Sequence, residues 1–282
     1  MTLLLRAKPY VQKCKAYLSE QVIKCKEKNI IPTLKIFRVG EREDDLSYQR
    51  SIQKIFGELE ISVQIESFPL SIEQDVLVKA IKDSNQDPFI HGVLLFPPLP
   101  PSLDEFSVCE ALDPKKDIEG ITTTSLSGVF LSRPTGYAPC TASACLALLD
   151  FYQISLKKKH ICVIGRSNVV GKPVAMLALE ENATVTICHS QTKDLKKYCL
   201  NADILIVATG KAESISLEYT KPEHIIIDVG IHVREDGSLC GDVDARVRDQ
   251  VQAISPVPGG VGAATTIILA KHLLQNCLHP IV

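Results

Sequence analysis

Two rhythms of apolar residues alternate along this chain. Short β-branched runs are separated by longer stretches in which apolar positions recur every three or four residues. Thr33–Val39, Ile61–Phe68, His91–Phe96, Ile161–Ile164, Thr184–Cys188, Asp203–Ala208 and His224–Val229 are predicted strands. Residues 7–28, with Val11, Cys14, Tyr17, Leu18 and Val22 on one stripe, predict an amphipathic helix. A second helix carries Tyr48, Ile52, Ile55, Phe56 and Leu59, and Ser71-Ile-Glu-Gln-Asp opens a third by capping chemistry. Prolines 97–101 end the strand at Phe96, since proline cannot donate to a ladder. Asp104–Leu112 reads as a short helix, Thr141–Tyr152 as a longer one and Thr265–Leu274 as a closing one. Thr122–Ala138 is largely polar and reads as an irregular lid or linker. The alternation, without internal repeat, predicts an α/β chain of two units joined near residue 139.

Composition narrows the partners. The 282 residues suffice for two medium domains, and 31 basic against 33 acidic residues leave a net charge of -2. No global field recruits nucleic acid or an anionic membrane, and Lys157-Lys158-Lys159 reads as a solvated strand entrance. No apolar stretch is long enough to span a bilayer, and MTLLLRAKPY is too short in apolar residues for a signal peptide. The ten cysteines contain no C-x-x-C and several fall in apolar runs, so they read as small buried hydrophobes in a reducing cytosol. The seven histidines are scattered, and no metal site is indicated.

The stretch with the most chemistry is Ile161–Thr192. A buried strand runs into Gly165-Arg-Ser-Asn-Val-Val-Gly171, Pro173 sits in a first helical turn, and a second strand ends at Cys188-His-Ser190-Gln-Thr192. Strand, glycine turn, helix and strand can present backbone N–H groups to a pyrophosphate. The spacing is not G-x-G-x-x-G, and an ordinary βαβ unit without ligand is the bland alternative. No Asp or Glu stands at the second strand end for an NAD ribose. Arg166, with the hydroxyls of Ser190 and Thr192, suits a ribose phosphate, which favours NADP.

The ordered set GRSNVVGKP, CHSQTKDL, DILIVATG, IIIDVGI, GDVD and SPVPGGVG closely resembles the methylene-tetrahydrofolate dehydrogenase/cyclohydrolase family. The first half agrees, with Val39-Gly40 before Tyr48, then HGVLLFPPLP and DPKKDIEG. The resemblance covers nearly the whole chain. It implies an α/β fold in which an N-terminal domain faces a C-terminal Rossmann-type parallel-sheet domain across a cleft. Residues 1–138 plus 266–282 would form the folate domain, and 139–265 the NADP domain. It further implies a cytoplasmic homodimer of one-carbon metabolism with a small-molecule folate substrate. The implied cofactor residues are Gly165, Arg166, Ser167, Gly171, Ser190, Thr209, Gly210 and Ile231.

The folate side departs from the family pattern. The lysine expected four residues after Tyr48 is Ile52, and Lys54 lies about 200° around the helix from it. The glutamine expected after HGVLL is Phe96, and the aspartate of the KDxDG loop is Glu119. PCTP-x-G becomes Pro139-Cys-Thr-Ala142-Ser-Ala144, and GGVGPMT becomes Gly259-Gly-Val-Gly-Ala263-Ala264-Thr265. Tyr48, Ile52, Phe96 and Glu119 therefore occupy the family's catalytic positions. Tyr48 reads equally as a residue flanking the pterin or an ordinary amphipathic position. Asp117 reads either as a second pterin carboxylate or as a loop cap. Hydride transfer needs positioning, whereas hydrolysis of a methenyl group needs a proton mover such as lysine. The expectation is an NADP-dependent methylene-tetrahydrofolate dehydrogenase with weak or lost cyclohydrolase activity. The alternatives are a non-catalytic NADP-binding relative and an NADP oxidoreductase with another substrate.

Overall fold

Apolar runs that are buried on both faces become parallel strands, and the inner strands of both large sheets of this protein are built that way. The computed structural model describes residues 2–281. In chain order the strands are β1 (Leu3–Leu4), β2 (Thr33–Val39), β3 (Ser62–Phe68), β4 (Gly92–Leu95), β5 (His160–Ile164), β6 (Thr184–Cys188), β7 (Ile204–Val207), β8 (Ile225–Asp228), β9 (His232–Val233), β10 (Leu239–Cys240) and β11 (Ala253–Ile254). The α-helices are α1 (Ala7–Glu27), α2 (Glu43–Glu58), α3 (Gln74–Gln86), α4 (Glu105–Glu110), α5 (Thr123–Leu131), α6 (Cys140–Phe151), α7 (Gly171–Glu180), α8 (Leu195–Asn201) and α9 (Val261–Leu278). Two compact units result, one from residues up to Gln12 with Thr141–Thr265, the other from Lys13–Cys140 with the chain from Thr266 onward.

In the unit built on Lys13–Cys140, three parallel strands stand in the order β3-β2-β4. The register pairs Val39 with Phe68 and Phe37 with Leu95. Helix α2 carries the chain to one side of β2, and α3 returns it to the other. The order therefore reverses at β2, which opens a crevice beyond the carboxyl ends of β2 and β4. Phe37, Leu77, Ile81, Val93, Leu95 and Val108 form the apolar packing beneath it.

In the other unit six strands stand in the order β1-β11-β8-β7-β5-β6, every neighbouring pair parallel. The path repeats the same device. Helix α7 leads from β5 out to β6, α8 brings the chain back, and β7 pairs on the far side of β5. The switch point lies beyond the ends of β5 and β7. Cys162, Cys188, Cys199, Leu205, Val207 and Ile226 pack in its core, where the thiols serve as small hydrophobes.

Several expectations change. The division into units differs from 1–138 plus 266–282 and 139–265 at the N-terminus. Leu3–Leu4 pairs with Ala253–Ile254, and Leu5 N donates to Ile254 O at 2.9 Å, so the first twelve residues go with the six-stranded sheet. The stretch 122–138 is not irregular throughout, because Thr122 accepts from Ser125 N and starts α5. Val129 and Gly128 are buried, so tertiary packing compensates for weak serine and threonine propensity. Ser71 caps nothing: α3 begins at Gln74 after Glu73, without a side-chain cap. The closing helix runs at both ends beyond Thr265–Leu274, and α8 is a helix that the apolar pattern does not mark.

Candidate functional site

Candidate residues gather at each of the two switch points. Beyond β5 the backbone turns at Gly165, whose φ of +136° is closed to other residues. A Cβ there would stand 2.1 Å from Ala208 O, and one on Gly171 would stand 2.2 Å from Gly165 O. The turn is thus packed backbone against backbone, between the end of β7 and the start of α7. Ser167 Oγ accepts from Val170 N at 3.1 Å and Gly171 N at 3.4 Å, and Ser167 O accepts from Lys172 N at 3.0 Å. These N–H groups at the start of α7 are therefore taken by Ser167, rather than all presented to a ligand as the turn's pattern suggests.

What the turn does present is a cation. Arg166 is exposed, and among the described residues it has no ion pair. Ile164 pairs with Cys188, and Gly165 N donates to Cys188 O at 2.9 Å. Arg166 and Ser190 each lie two residues past that pair, so they stand on neighbouring strand ends of one sheet edge. Ser190 is exposed. Thr192 is committed elsewhere, since its Oγ1 accepts from His189 N at 2.9 Å and its N–H donates to His189 O at 2.8 Å. A guanidinium beside a hydroxyl fits a phosphorylated ribose, and no carboxylate in this pair of strand ends opposes it.

The neighbouring strand ends carry the rest of this set. Thr209 and Gly210 follow β7, and their N–H groups both donate to Asp242 Oδ2, at 2.6 and 3.1 Å. Thr209 Oγ1 lies 2.9 Å from Ser214 Oγ. Ile231 follows β8 and is exposed. His232 Nε2 lies 2.7 Å from Asp242 Oδ1. Asp242 N and Val243 N in turn donate to the two oxygens of Asp228, at 3.0 and 3.1 Å. Burial pushes the Asp228 carboxyl up to about 7. The motif GDVD marks this region in the sequence, but spacing alone gives no hint that its first aspartate fastens two loops.

Beyond β2 and β4 the chemistry is carried by side chains. Helix α2 turns Ile52 fully inward and leaves Lys54 exposed, so the lysine does not take the inward position. Phe96, just past β4, is buried, and its ring lies 5.8 Å from that of the half-buried Tyr48 at an interplanar angle of 57°. Tyr48 OH donates to Glu119 Oε2 over 3.4 Å. Tyr48, Phe96 and Glu119 are thereby brought together from one helix and two loops, while Ile52, on the helix of Tyr48, is buried in the core.

The two loop carboxylates separate cleanly. Asp117 is fully buried and accepts from Gly120 N, Ile121 N, Thr122 N, Thr122 Oγ1 and Ser125 Oγ, all within 3.0 Å. Five donors saturate it, so Asp117 is the loop cap of the two readings. Glu119 is buried with fewer partners. Burial and then the nearby charge of Asp117 push its carboxyl up to about 8, against hydrogen bonds from Cys140 and Tyr48. Desolvation and Glu119 together raise the Tyr48 hydroxyl well above its ordinary value.

Behind Glu119 stand residues that the pattern of the chain did not single out. His272 Nδ1 lies 2.9 Å from Ile118 O, and Cys140 Sγ donates to the same carbonyl at 3.3 Å. Burial lowers the His272 imidazole to about 4, and the Tyr137 ring stacks on it at 4.6 Å. Burial also raises the Cys140 thiol well above its ordinary value, which makes it a poor nucleophile. Among the described residues no group of three or more His, Cys, Asp and Glu is placed to hold a metal ion, and no helix is long and apolar enough to cross a membrane.

Comparison with known proteins places these two sets of residues in a family context. Residues 139–279 match the model for the tetrahydrofolate dehydrogenase/cyclohydrolase NAD(P)-binding domain. Residues 5–119 match the model for the catalytic domain of the same family. The chain is 44% identical over 278 residues to "Bifunctional protein FolD 1" of Desulfitobacterium hafniense, which covers 98% of this chain and 99% of that protein. The crystal structure of bifunctional FolD from Campylobacter jejuni superposes with a TM-score of 0.95 at 33% identity, covering 99% of each chain. That of Trypanosoma brucei FolD, complexed with NADP cofactor and inhibitor, gives 0.92 at 28% identity, covering 98% of this chain and 97% of that one.

Proposed function

The chain belongs to the tetrahydrofolate dehydrogenase/cyclohydrolase family, and from that premise we propose an NADP-dependent methylene-tetrahydrofolate dehydrogenase whose cyclohydrolase step is weak or lost. The observation that carries the cofactor half is the equal register of Arg166 and Ser190 at the ends of β5 and β6. A guanidinium and a hydroxyl on adjacent strand ends are the recognition chemistry of a ribose 2′-phosphate. Gly165 and Gly171 hold the turn that aims Arg166, and Thr209, Gly210 and Ile231 supply the next loops. When bound, NADP supplies the acceptor for two electrons and a proton taken as a unit from the methylene bridge.

On the folate side the residues orient rather than transfer protons. Glu119 is the carboxyl free to receive the amide-and-amino edge of a pterin, while Asp117 is saturated by its own loop. Tyr48 and Phe96 offer ring surface beside it. Ile52 and Phe96 have neither donor nor titratable group, so this end of the sheet lacks the lysine and amide with which the family would activate water. Water attack on a methenyl group needs protons moved through a tetrahedral intermediate. Removing the mover slows that step by about 10²–10⁴-fold, while positioning for oxidation is kept.

The protein incubated with NADP and methylene-tetrahydrofolate should form NADPH, and it should hydrolyse added methenyl-tetrahydrofolate no faster than buffer. Absence of NADPH formation overturns the dehydrogenase; family-typical hydrolysis overturns the loss. A cytoplasmic homodimer belongs to the same reading and is supported by the family resemblance. Sedimentation at working concentration tests the dimer.

A further inference from the structure

We propose that Asp242 is the positioning residue of the cofactor site: one buried carboxylate holds the Thr209–Gly210 turn and the Ile231–His232 segment together, and so sets NADP affinity. The inference rests on the reading of Thr209, Gly210 and Ile231 as cofactor contacts.

Asp242 is fully buried, a costly location for a carboxylate unless its oxygens are satisfied. They are satisfied entirely from the two loops in question. Oδ2 takes Thr209 N at 2.6 Å and Gly210 N at 3.1 Å, and Oδ1 takes His232 Nε2 at 2.7 Å. The two amides follow β7 and the imidazole follows β8, so a side chain from beyond β10 spans neighbouring strand ends at the switch point. The backbone closes tightly around it: a Cβ on Gly230 would stand 2.2 Å from Asp242 Oδ1. Asp228 fixes the fastener itself, accepting from Asp242 N at 3.0 Å, while Ser255 Oγ accepts from Asp228 N at 2.8 Å.

This arrangement exceeds what loop stability needs. A turn such as Thr209–Gly210 can be closed by its own hydroxyl, and Thr209 Oγ1 does accept from Lys211 N at 3.2 Å. Asp242 adds a tie between that turn and a different loop. Backbone bonds already tie the two segments to the Asp242 stretch, through Ile215 N to Asp242 O at 3.0 Å and the pairing of His232 with Cys240. The Thr209 and Gly210 amides at the strand end, however, have the carboxylate as their anchor, and small displacements of binding groups cost affinity steeply.

Asp242→Asn keeps the size but removes the charge and the second full acceptor. The cofactor-free variant should show faster amide hydrogen exchange at Thr209 and Gly210. Its NADP dissociation constant by calorimetry should rise about tenfold, the loss expected when a charge-assisted hydrogen bond goes. The KM for the folate substrate should stay within about twofold, because no displaced loop lies in the Lys13–Cys140 unit. Faster exchange with unchanged NADP affinity would reduce Asp242 to a structural role and overturn the proposal. If Asp242→Asn does not fold, His232→Phe decides, since it removes only the contact at Oδ1: about a threefold weaker NADP affinity supports the proposal and unchanged affinity overturns it. A wild-type protein with no NADP affinity overturns both this inference and the function it rests on. A wild type that binds NADP no better than Asp242→Asn overturns the inference alone.

Discussion

The two switch points share a topology but not a material. In each, a central strand sends the chain first to one side and then to the other, and a crevice opens beyond the strand ends. At β5 and β7 the frame is backbone, glycines pressed against carbonyls and amides gathered on Asp242, and it carries the exposed side chains of Arg166 and Ser190. At β2 and β4 the proposed working parts are side chains, Tyr48, Ile52, Phe96 and Glu119, drawn from one helix and two loops. A frame made of backbone cannot be edited at its glycines without breaking the turn. A site made of side chains can lose a lysine to isoleucine and keep its fold, because Ile52 simply joins the core. On the proposed reading, this difference lets one half of the chain keep the family's cofactor chemistry while the other loses the hydrolytic step.

The largest effect should come from attacking the backbone. Gly165→Ala places a methyl against Ala208 O in a conformation that alanine rarely adopts, so NADP affinity should fall on the order of 100-fold. Fluorescence titration with NADPH measures it, and near-native affinity would mean the turn is not the binding element. Next, Arg166→Gln with Ser190→Ala should lower kcat/KM with NADP roughly 10–100-fold and leave NAD unchanged. An equal loss with both cofactors would make the pair structural.

Restoring the other switch point should sharpen the contrast from its far side. Ile52→Lys, Phe96→Gln and Glu119→Asp together should raise methenyl hydrolysis by at least ~10-fold. The buried lysine will lower Tm, and unchanged hydrolysis in the folded variant would show that more than these positions has changed.

The smallest effect is a pH dependence. Below pH about 8 the free protein holds Glu119 protonated. A pterin edge donating two hydrogen bonds selects the carboxylate, so binding releases a proton and folate affinity should climb as pH rises toward that value. Glu119→Gln should flatten the profile of folate KM against pH, and a profile unchanged by the substitution would remove Glu119 from the site. Stability runs the opposite way. The contribution of Glu119 is whole below its ordinary 4.5 and is lost as pH rises through about 8. The fall in Tm from about pH 5 to about pH 9 should therefore be smaller in Glu119→Gln by roughly 2–4 °C.

What the chain disclosed in advance follows the same division. Strands β5, β7 and β8 are legible because parallel strands buried on both faces must be continuously apolar. The inward Ile52 and outward Lys54 follow from helix geometry alone. Helix α5 is hidden because its residues favour caps and loops, and only packing of Val129 and Gly128 makes it a helix. The fates of Asp117 and Glu119 are illegible for a related reason. They stand two residues apart in one loop, and what separates them is how many donors the folded loop turns toward each. Asp242, His272 and Tyr137 act through partners distant in the chain, which no local pattern encodes.

Strand β1 has a consequence for how the molecule is assembled. Its two residues close the edge of a sheet whose other strands all lie beyond residue 159, and Thr2 Oγ1 donates to Val251 O across a sequence separation of 249. A contact so distant in sequence forms only after most of the chain has been synthesised. Until then the Leu3–Leu5 run has no sheet to join, and it is open to a chaperone or to another nascent chain. Deleting that run would leave β11 as an uncovered edge, the kind of strand that recruits neighbours.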